Sequence, residues 1–371
     1  MKTVLVTGAE GFIGKNLCAS LKQRKDIKIL PYDKDNSAQE LAEYAACADF
    51  VFHLAGVNRP QNVEEFDEGN WGFTVQLLES IAKSNRKVPI AVTSSIQAAL
   101  DNPYGVSKKK AEDALWEWSR RSGAPVYIYR LPNVFGKWCR PNYNSVVATF
   151  CYNIARGRPV QINNPDAELT LVYIDDVVAE LISAMEGNPH KDDSGFCYVP
   201  RTFKVTLQRL ADIIYSFAAS RKNLVMPNFE NDLERFLYAT YISYLPEDGF
   251  GYELELKHDQ RGWLAEFIKS KQFGQIFASR TRPGITRGNH WHHTKVEKFL
   301  VIEGKGIIRF RRIDTGEILS YEVSGEKPVV VDIPPGYTHS ITNVGDNDLI
   351  TLFWANEIFD EEHPDTYYAE V

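Results

Sequence analysis

The chain has 371 residues, of which 25% are charged and 44% hydrophobic, and a formal net charge of −7. That length suits two domains better than one, and the acidic balance argues for solubility and against a nucleic-acid or membrane-surface role. No apolar run of about 18 residues predicts a membrane span, no signal-peptide pattern precedes the first strand, and the scattered cysteines read as reduced thiols of a cytoplasmic protein.

Lys2 to Thr7 is a short β-branched strand. It runs into Gly8-Ala-Glu-Gly11-Phe12-Ile13-Gly14 and then an amphipathic helix from Lys15 to Arg24. A strand, a Gly-rich turn and a helix N-terminus make an anion site, because free backbone N–H groups and the helix dipole face a pyrophosphate. Ile27 to Asp33 reads as the second strand. Asp33 stands where an acid would hydrogen-bond the ribose 2′-hydroxyl of NAD, whereas Lys34 would meet a 2′-phosphate. Asp49 to Gly56 is another buried strand, and its end, Leu54-Ala55-Gly56, lets a cofactor lie close.

Pro89 to Ser95 is a strand ending in two hydroxyls, Ser94 and Ser95. Tyr104 and Lys108 then share one face of a helix that runs to about Arg121. An ammonium beside a phenol favours phenolate and lowers the tyrosine pKa from its usual value of about 10. With a serine hydroxyl to hold the substrate oxygen, this is the apparatus for passing a proton to a carbonyl while hydride moves at its carbon.

Together these residues resemble the extended short-chain dehydrogenase/reductases. The likeness runs from Thr3 to about residue 240 and takes in Arg130-Leu-Pro-Asn133-Val-Phe-Gly136 and Leu171-Val-Tyr-Ile-Asp175-Asp176. It implies a Rossmann-type doubly wound parallel sheet with a substrate lobe for a sugar nucleotide. It also implies a nicotinamide cofactor held by the Gly8–Gly14 turn, Asp33, Leu54, Ala55, Gly56, Lys108 and Asn133. Tyr104 and Lys108 would carry the reaction with a serine. Ser95 matches the family's position and Ser94 is its rival. Ala98-Ala-Leu100 stands where the family usually has Tyr-Gly.

Val205 to Ile214 and Asp232 to Tyr244 have helical spacing, and Pro246-Glu-Asp-Gly249 marks the boundary between residues 1–245 and 246–371. Short β runs follow from Tyr252: Gly262 to Ile268, Gly274 to Ala278, Glu297 to Ile302, Gly306 to Phe310, Val329 to Ile333 and Leu349 to Trp354. Their spacing predicts an antiparallel jelly roll. His290 and His292 fall on one face of a strand. Glu297 follows five residues on, and His339 follows Pro334-Pro-Gly336. Three imidazoles and a carboxylate suit Zn2+ or another divalent metal.

Gly284 to Gly304 resembles the first metal motif of the cupin barrels and Pro334 to Asn343 the second, with Pro328 replacing a frequent glycine. Asp259 to Glu266, Arg287-Gly-Asn-His290, Lys298 and Ile333 to His339 also resemble the nucleotide-linked 4-keto-6-deoxyhexose epimerases, cupin enzymes that work without a metal. That second likeness implies His290 as the proton base, with Lys298 and His339 holding the enolate oxygen. The two likenesses compete for His290 and His339. His292 and Glu297 favour the metal, which leaves the base open, with His258 and Lys269 as outside candidates.

The whole order, reductase then metal-type cupin, resembles the bifunctional enzymes of bacterial capsular polysaccharide synthesis. This resemblance implies C3 epimerisation of a UDP-2-acetamido-2,6-dideoxy-4-hexulose, then NADPH-dependent C4 reduction to UDP-N-acetyl-6-deoxy-L-talosamine, in a homodimer. The alternative is a 4-keto sugar-nucleotide reductase whose cupin part is structural, dimerising or regulatory.

Overall fold

The computed structural model describes residues 1–254, 256–259, 262–265, 268, 274–357 and 362–371, with 256–259, 262–265 and 275 as backbone alone. Contacts divide the chain into two compact units, Met1–Ser145 with Leu169–Lys204, and Val146–Glu168 with Val205–Val371.

In the first unit, β1 (Lys2–Thr7), β2 (Ile27–Tyr32), β3 (Phe50–His53), β4 (Ile90–Ser95) and β5 (Val126–Leu131) form a parallel sheet in the order β2-β1-β3-β4-β5. β2 is an edge, which is why it tolerates Pro31. The helices between them are α1 (Phe12–Leu21), α2 (Ala38–Cys47), α3 (Glu64–Phe66), α4 (Phe73–Lys83) and α5 (Pro103–Ser122). Helix α1 starts three residues earlier than the pattern predicts. Gly11 turns directly into it with extended φ/ψ of −73° and 171°. Helix α5 is well delimited: the Asn102 side chain accepts from Gly105 N, Pro103 takes the first turn, and Gly123 closes it at φ 69°. β6 (Asn133–Phe135), β7 (Glu168–Tyr173), α7 (Ile174–Met185) and β8 (Phe203–Thr206) follow, with α6 (Val146–Ile154) of the second unit between β6 and β7 in the chain, and β6 pairs in parallel with β7.

The second unit holds α6, α8 (Leu207–Asn223) and α9 (Asp232–Ile242), then β9 (Gly251–Glu253) and a hairpin of β10 (Leu256–Asp259) and β11 (Gly262–Ala265). Next come β12 (Gln275–Thr281), β13 (Thr286–Trp291), β14 (Glu297–Glu303), β15 (Lys305–Arg312) and β16 (Ile318–Ser324). The last are β17 (Val329–Ile333), β18 (Tyr337–Asn343), β19 (Leu349–Ala355) and β20 (Tyr367–Tyr368). They form two antiparallel sheets, β12-β19-β14-β17-β9 and β16-β15-β18-β13-β20.

β14 is buried on both faces. Phe299 faces the other sheet, with its ring 5.5 Å from His339, whereas Leu300 packs with Val330 and Leu224 behind it. The expected Val205 start of α8 is instead the end of β8, and Thr206 caps the helix. Among the described residues no helix is long and apolar enough to cross a membrane.

Candidate active site and metal centre

In the first unit the Gly-rich turn, the ends of β3 and β4 and the start of α5 line a cleft of about 580 Å³. The strand order reverses between β1 and β3, and doubly wound sheets take ligands at that point. The turn must be glycine where backbone meets backbone. A Cβ on Gly8, which has φ 68°, would come within 2.7 Å of Ala55 N, and one on Gly14 within 2.0 Å of Gly8 O.

Gly8, Gly11, Phe12, Ile13, Gly14, Leu54, Gly56 and Asn133 line the cleft, while Ala55 lines a smaller cavity beside it. Asp33 is not among the lining residues. Its carboxylate accepts from Glu10 N at 2.8 Å and Lys34 N at 2.9 Å, so it braces the Gly-rich turn.

Tyr104 and Lys108 both face the cleft from α5. Lys108 Nζ lies 5.9 Å from the centroid of the Tyr104 ring and donates to Thr93 O at 3.4 Å. Burial pushes Lys108 down to about 8, with Glu112 opposing. Burial also raises the Tyr104 phenol, with a hydrogen bond to Ser95 opposing. The expected depression of the tyrosine pKa is thus corrected, because desolvation of the phenolate outweighs its polar neighbours.

The two serines part company. Both line the cleft, and Ser95 bonds Tyr104. The Ser94 hydroxyl donates to buried Glu112 at 2.6 Å.

Two features were missed by pattern reading. The segment Trp138–Ser145 lines the cleft and brings Arg140, whose guanidinium lies 4.9 Å over the Tyr143 ring. It has no periodicity to signal it. Asn70 sits in a π-helical turn, Asp67–Gly72, and bonds Val57 N at 3.0 Å, Val57 O at 2.9 Å and Ser107 Oγ at 3.0 Å. Such turns cluster at functional sites, but nothing in the local sequence separates this one from an α-helix.

In the second unit His290, His292, Glu297 and His339 bring four ligand atoms within 4.8 Å of one another. A bulge between Gly288 and His290, with Asn289 at φ 56°, sets His290 opposite His339. Glu297 Oε2 lies 3.4 Å from His292 Nε2 and 3.3 Å from His339 Nε2, yet neither buried nitrogen has a hydrogen-bond partner among the described residues. Orphaned buried nitrogens converging on a carboxylate fit a cation. His292 Nδ1 donates to Asp365 O at 2.6 Å, which aims Nε2 at the cluster. Burial, helped by His339 and His292, pushes His290 down to about 4, and a neutral imidazole is what a metal requires.

Lys298 is not brought to this cluster. It follows Glu297 on β14 and therefore points to the opposite face. There it is 1% exposed, ion-paired with Asp332, and donates to Tyr252 Oη at 3.3 Å. Burial works against its charge, but Asp332 prevails and holds the ammonium above its ordinary range. Lys269 and the side chain of His258 lie outside the described residues.

The profile of the NAD dependent epimerase/dehydratase family matches residues 4–195, and that of the polysaccharide biosynthesis C-terminal domain matches residues 257–367. A UDP-2-acetamido-2,6-beta-L-arabino-hexul-4-ose reductase of Pseudomonas aeruginosa is 49% identical over 368 residues, which cover 99% of this chain and 98% of that one. The crystal structure of the capsular polysaccharide assembling protein CapF from Staphylococcus aureus aligns over 100% of both chains, with 49% identity and a TM-score of 0.69. A UDP-glucuronic acid 4-epimerase of Bacillus cereus, 17% identical with a TM-score of 0.54, covers 65% of this chain and 98% of its own, and shares the fold. The chain therefore belongs to the NAD dependent epimerase/dehydratase family, in the CapF-like group that joins this fold to a polysaccharide biosynthesis C-terminal domain.

Proposed function

We propose that the chain processes a UDP-linked 4-keto-6-deoxy amino sugar in two steps, inversion at C3 and then reduction at C4 with NADPH. The full-length likeness to a UDP-linked hexulose reductase carries the reduction step of this reading. The gathering of Ser95, Tyr104 and Lys108 at one cleft supports it.

The Gly8–Gly14 turn and the N-terminus of α1 would receive the cofactor's pyrophosphate. Bound NADPH supplies the hydride for C4. Tyr104 gives its proton to the C4 oxygen, Ser95 holds that oxygen, and the Lys108 ammonium stabilises the phenolate left behind. The carbonyl gains one hydride and one proton and becomes the alcohol.

His290, His292, Glu297 and His339 would hold Zn2+ or another divalent cation, which acts as a Lewis acid toward a ketone oxygen when bound. The ketone at C4 acidifies the C3 hydrogen, so inversion must come first. Reduction removes the ketone and fixes the configuration. The reading extends to a cytoplasmic homodimer.

One observation favours a narrower reading: the Pseudomonas relative is named for reduction alone. Under it, the jelly roll is structural or regulatory. Proton NMR in heavy water, with the 4-keto sugar nucleotide and no nicotinamide, separates the two. The two-step reading predicts deuterium entering at C3 with wild type and not with His290→Asn, and conversion to the alcohol once NADPH is added. Normal reduction without prior exchange would leave the narrower reading.

A further inference from the structure

Tyr104, Lys108 and Glu112 run along one face of α5 at four-residue spacing. The first two belong to the proposed reduction, whereas Glu112 is not among the residues lining the cleft. It is 1% exposed. It accepts the Ser94 hydroxyl at 2.6 Å and binds Arg130 at two points, 2.9 Å from Nε and 2.6 Å from Nη2.

Glu112 and Lys108 also line a small cavity of about 10 Å³, room for one water. A surface pair would tie α5 to β5 equally well. Burying a carboxylate there is costly, and the low dielectric lets its charge act strongly on its neighbours.

We propose that Glu112 is a positioning residue of the reduction, whose carboxylate acts across this cavity to keep Lys108 protonated beside Tyr104. The other groups facing Lys108 do not supply that charge. From β3 comes His53, which burial pushes down to about 3, with Lys108 adding to the effect. β4 offers the Thr93 carbonyl and Ser94, the π-helical turn offers Asn70, and α5 itself offers the Tyr104 phenol. Arg130 of β5 lies against Glu112. Glu112 is the acid among the described residues lining the cavity.

Burial already lowers Lys108 to about 8 and Glu112 opposes that fall. Without Glu112 the ammonium is lost at lower pH, and the phenolate that forms on Tyr104 loses its counter-charge.

The inference rests on the reading of Tyr104 and Lys108 as the reacting pair. The test follows NADPH oxidation by the full-length chain with the hexulose for which the Pseudomonas relative is named, across neutral to alkaline pH. In Glu112→Gln, the pH at which kcat falls on the alkaline side should drop by about one unit or more, with KM for both substrates little changed. Glu112→Asp should stay near wild type.

The double variant Glu112→Gln/Arg130→Met removes the guanidinium that the single variant leaves unpaired. It should also fall below wild type. An unmoved alkaline limb in a folded variant, or a limb fully restored in the double variant, overturns the inference. Full turnover by Tyr104→Phe would instead overturn the reading of the pair itself.

Discussion

Lys108 is half-buried, and the chain carries it at a cost that pH reveals. Its folded pKa is about 8 against an ordinary value of 10.5. Between those two values the unfolded chain binds more protons, so stability rises as pH rises through that window. Below about pH 8 both states are charged and the full penalty stands, on the order of 2 kcal/mol after allowance for its partial exposure. Lys108→Met should therefore melt a few degrees above wild type at neutral pH while losing reductase activity. The gap should close between pH 8 and 10.5. Calorimetry at a series of pH values checks this, and a gap independent of pH would assign the effect to packing. The lysine was legible because a spacing of four fixes a helix face. Lys298 misled for the complementary reason. Period two puts Glu297 and Lys298 on opposite faces of β14, so a ligand role for one and an inward role for the other conflict. What distinguishes Ser94 from Ser95 is a long-range partner, Glu112, which α5 brings against β4 and no local pattern shows.

Single elements divide by whether their pattern is local. β17 has the bounds its β-branched run predicts, and α5 carries both of its caps in sequence. β20 is two residues long, and its partner positions on β13 lie nearly eighty residues earlier, so no window could have revealed it. Yet the segment before it braces the proposed metal centre. The Asp365 carboxylate accepts from His293 N at 2.9 Å, Thr294 N at 2.9 Å and Lys295 N at 2.7 Å, while its own carbonyl fixes His292. Asp365→Ala removes the carboxylate that accepts from those three backbone donors and loosens the segment that orients that ring. Partners of this kind change metal affinity by about 10–100-fold. Metal per chain, measured by mass spectrometry after dialysis against a graded chelator, should fall while C4 reduction persists. Wild-type retention of metal would show that the tail does not orient His292.

For the whole molecule, linear order and compactness give different partitions. The composition shift at Pro246 and the C-terminal family profile, which begins at residue 257, both mark a late boundary. The contacts place Val205–Leu245 in one compact unit with the β-sheets. The reason lies on the outer face of β14, β17 and β19. Asp332 pairs there with both Lys298 and Arg221 of α8, and the Phe229 ring lies 5.7 Å from that of Trp354. Lys298, Asp332 and Trp354 are at most 1% exposed. A fragment starting at residue 246 would open this face to water, stripping the cover from Trp354 and Leu300 and leaving Asp332 without one of its two cations. The lost burial is on the order of 5 kcal/mol, comparable with the whole stability of a small domain. A fragment of residues 246–371 should aggregate or melt well below one of residues 205–371, which keeps α8 and α9. Equal melting temperatures would make the helices passengers and Pro246 the true folding boundary. This comparison also bears on any attempt to test the jelly roll alone: loss of exchange at C3 in the shorter fragment would report unfolding, whereas exchange kept by the longer one would assign the chemistry to the jelly roll.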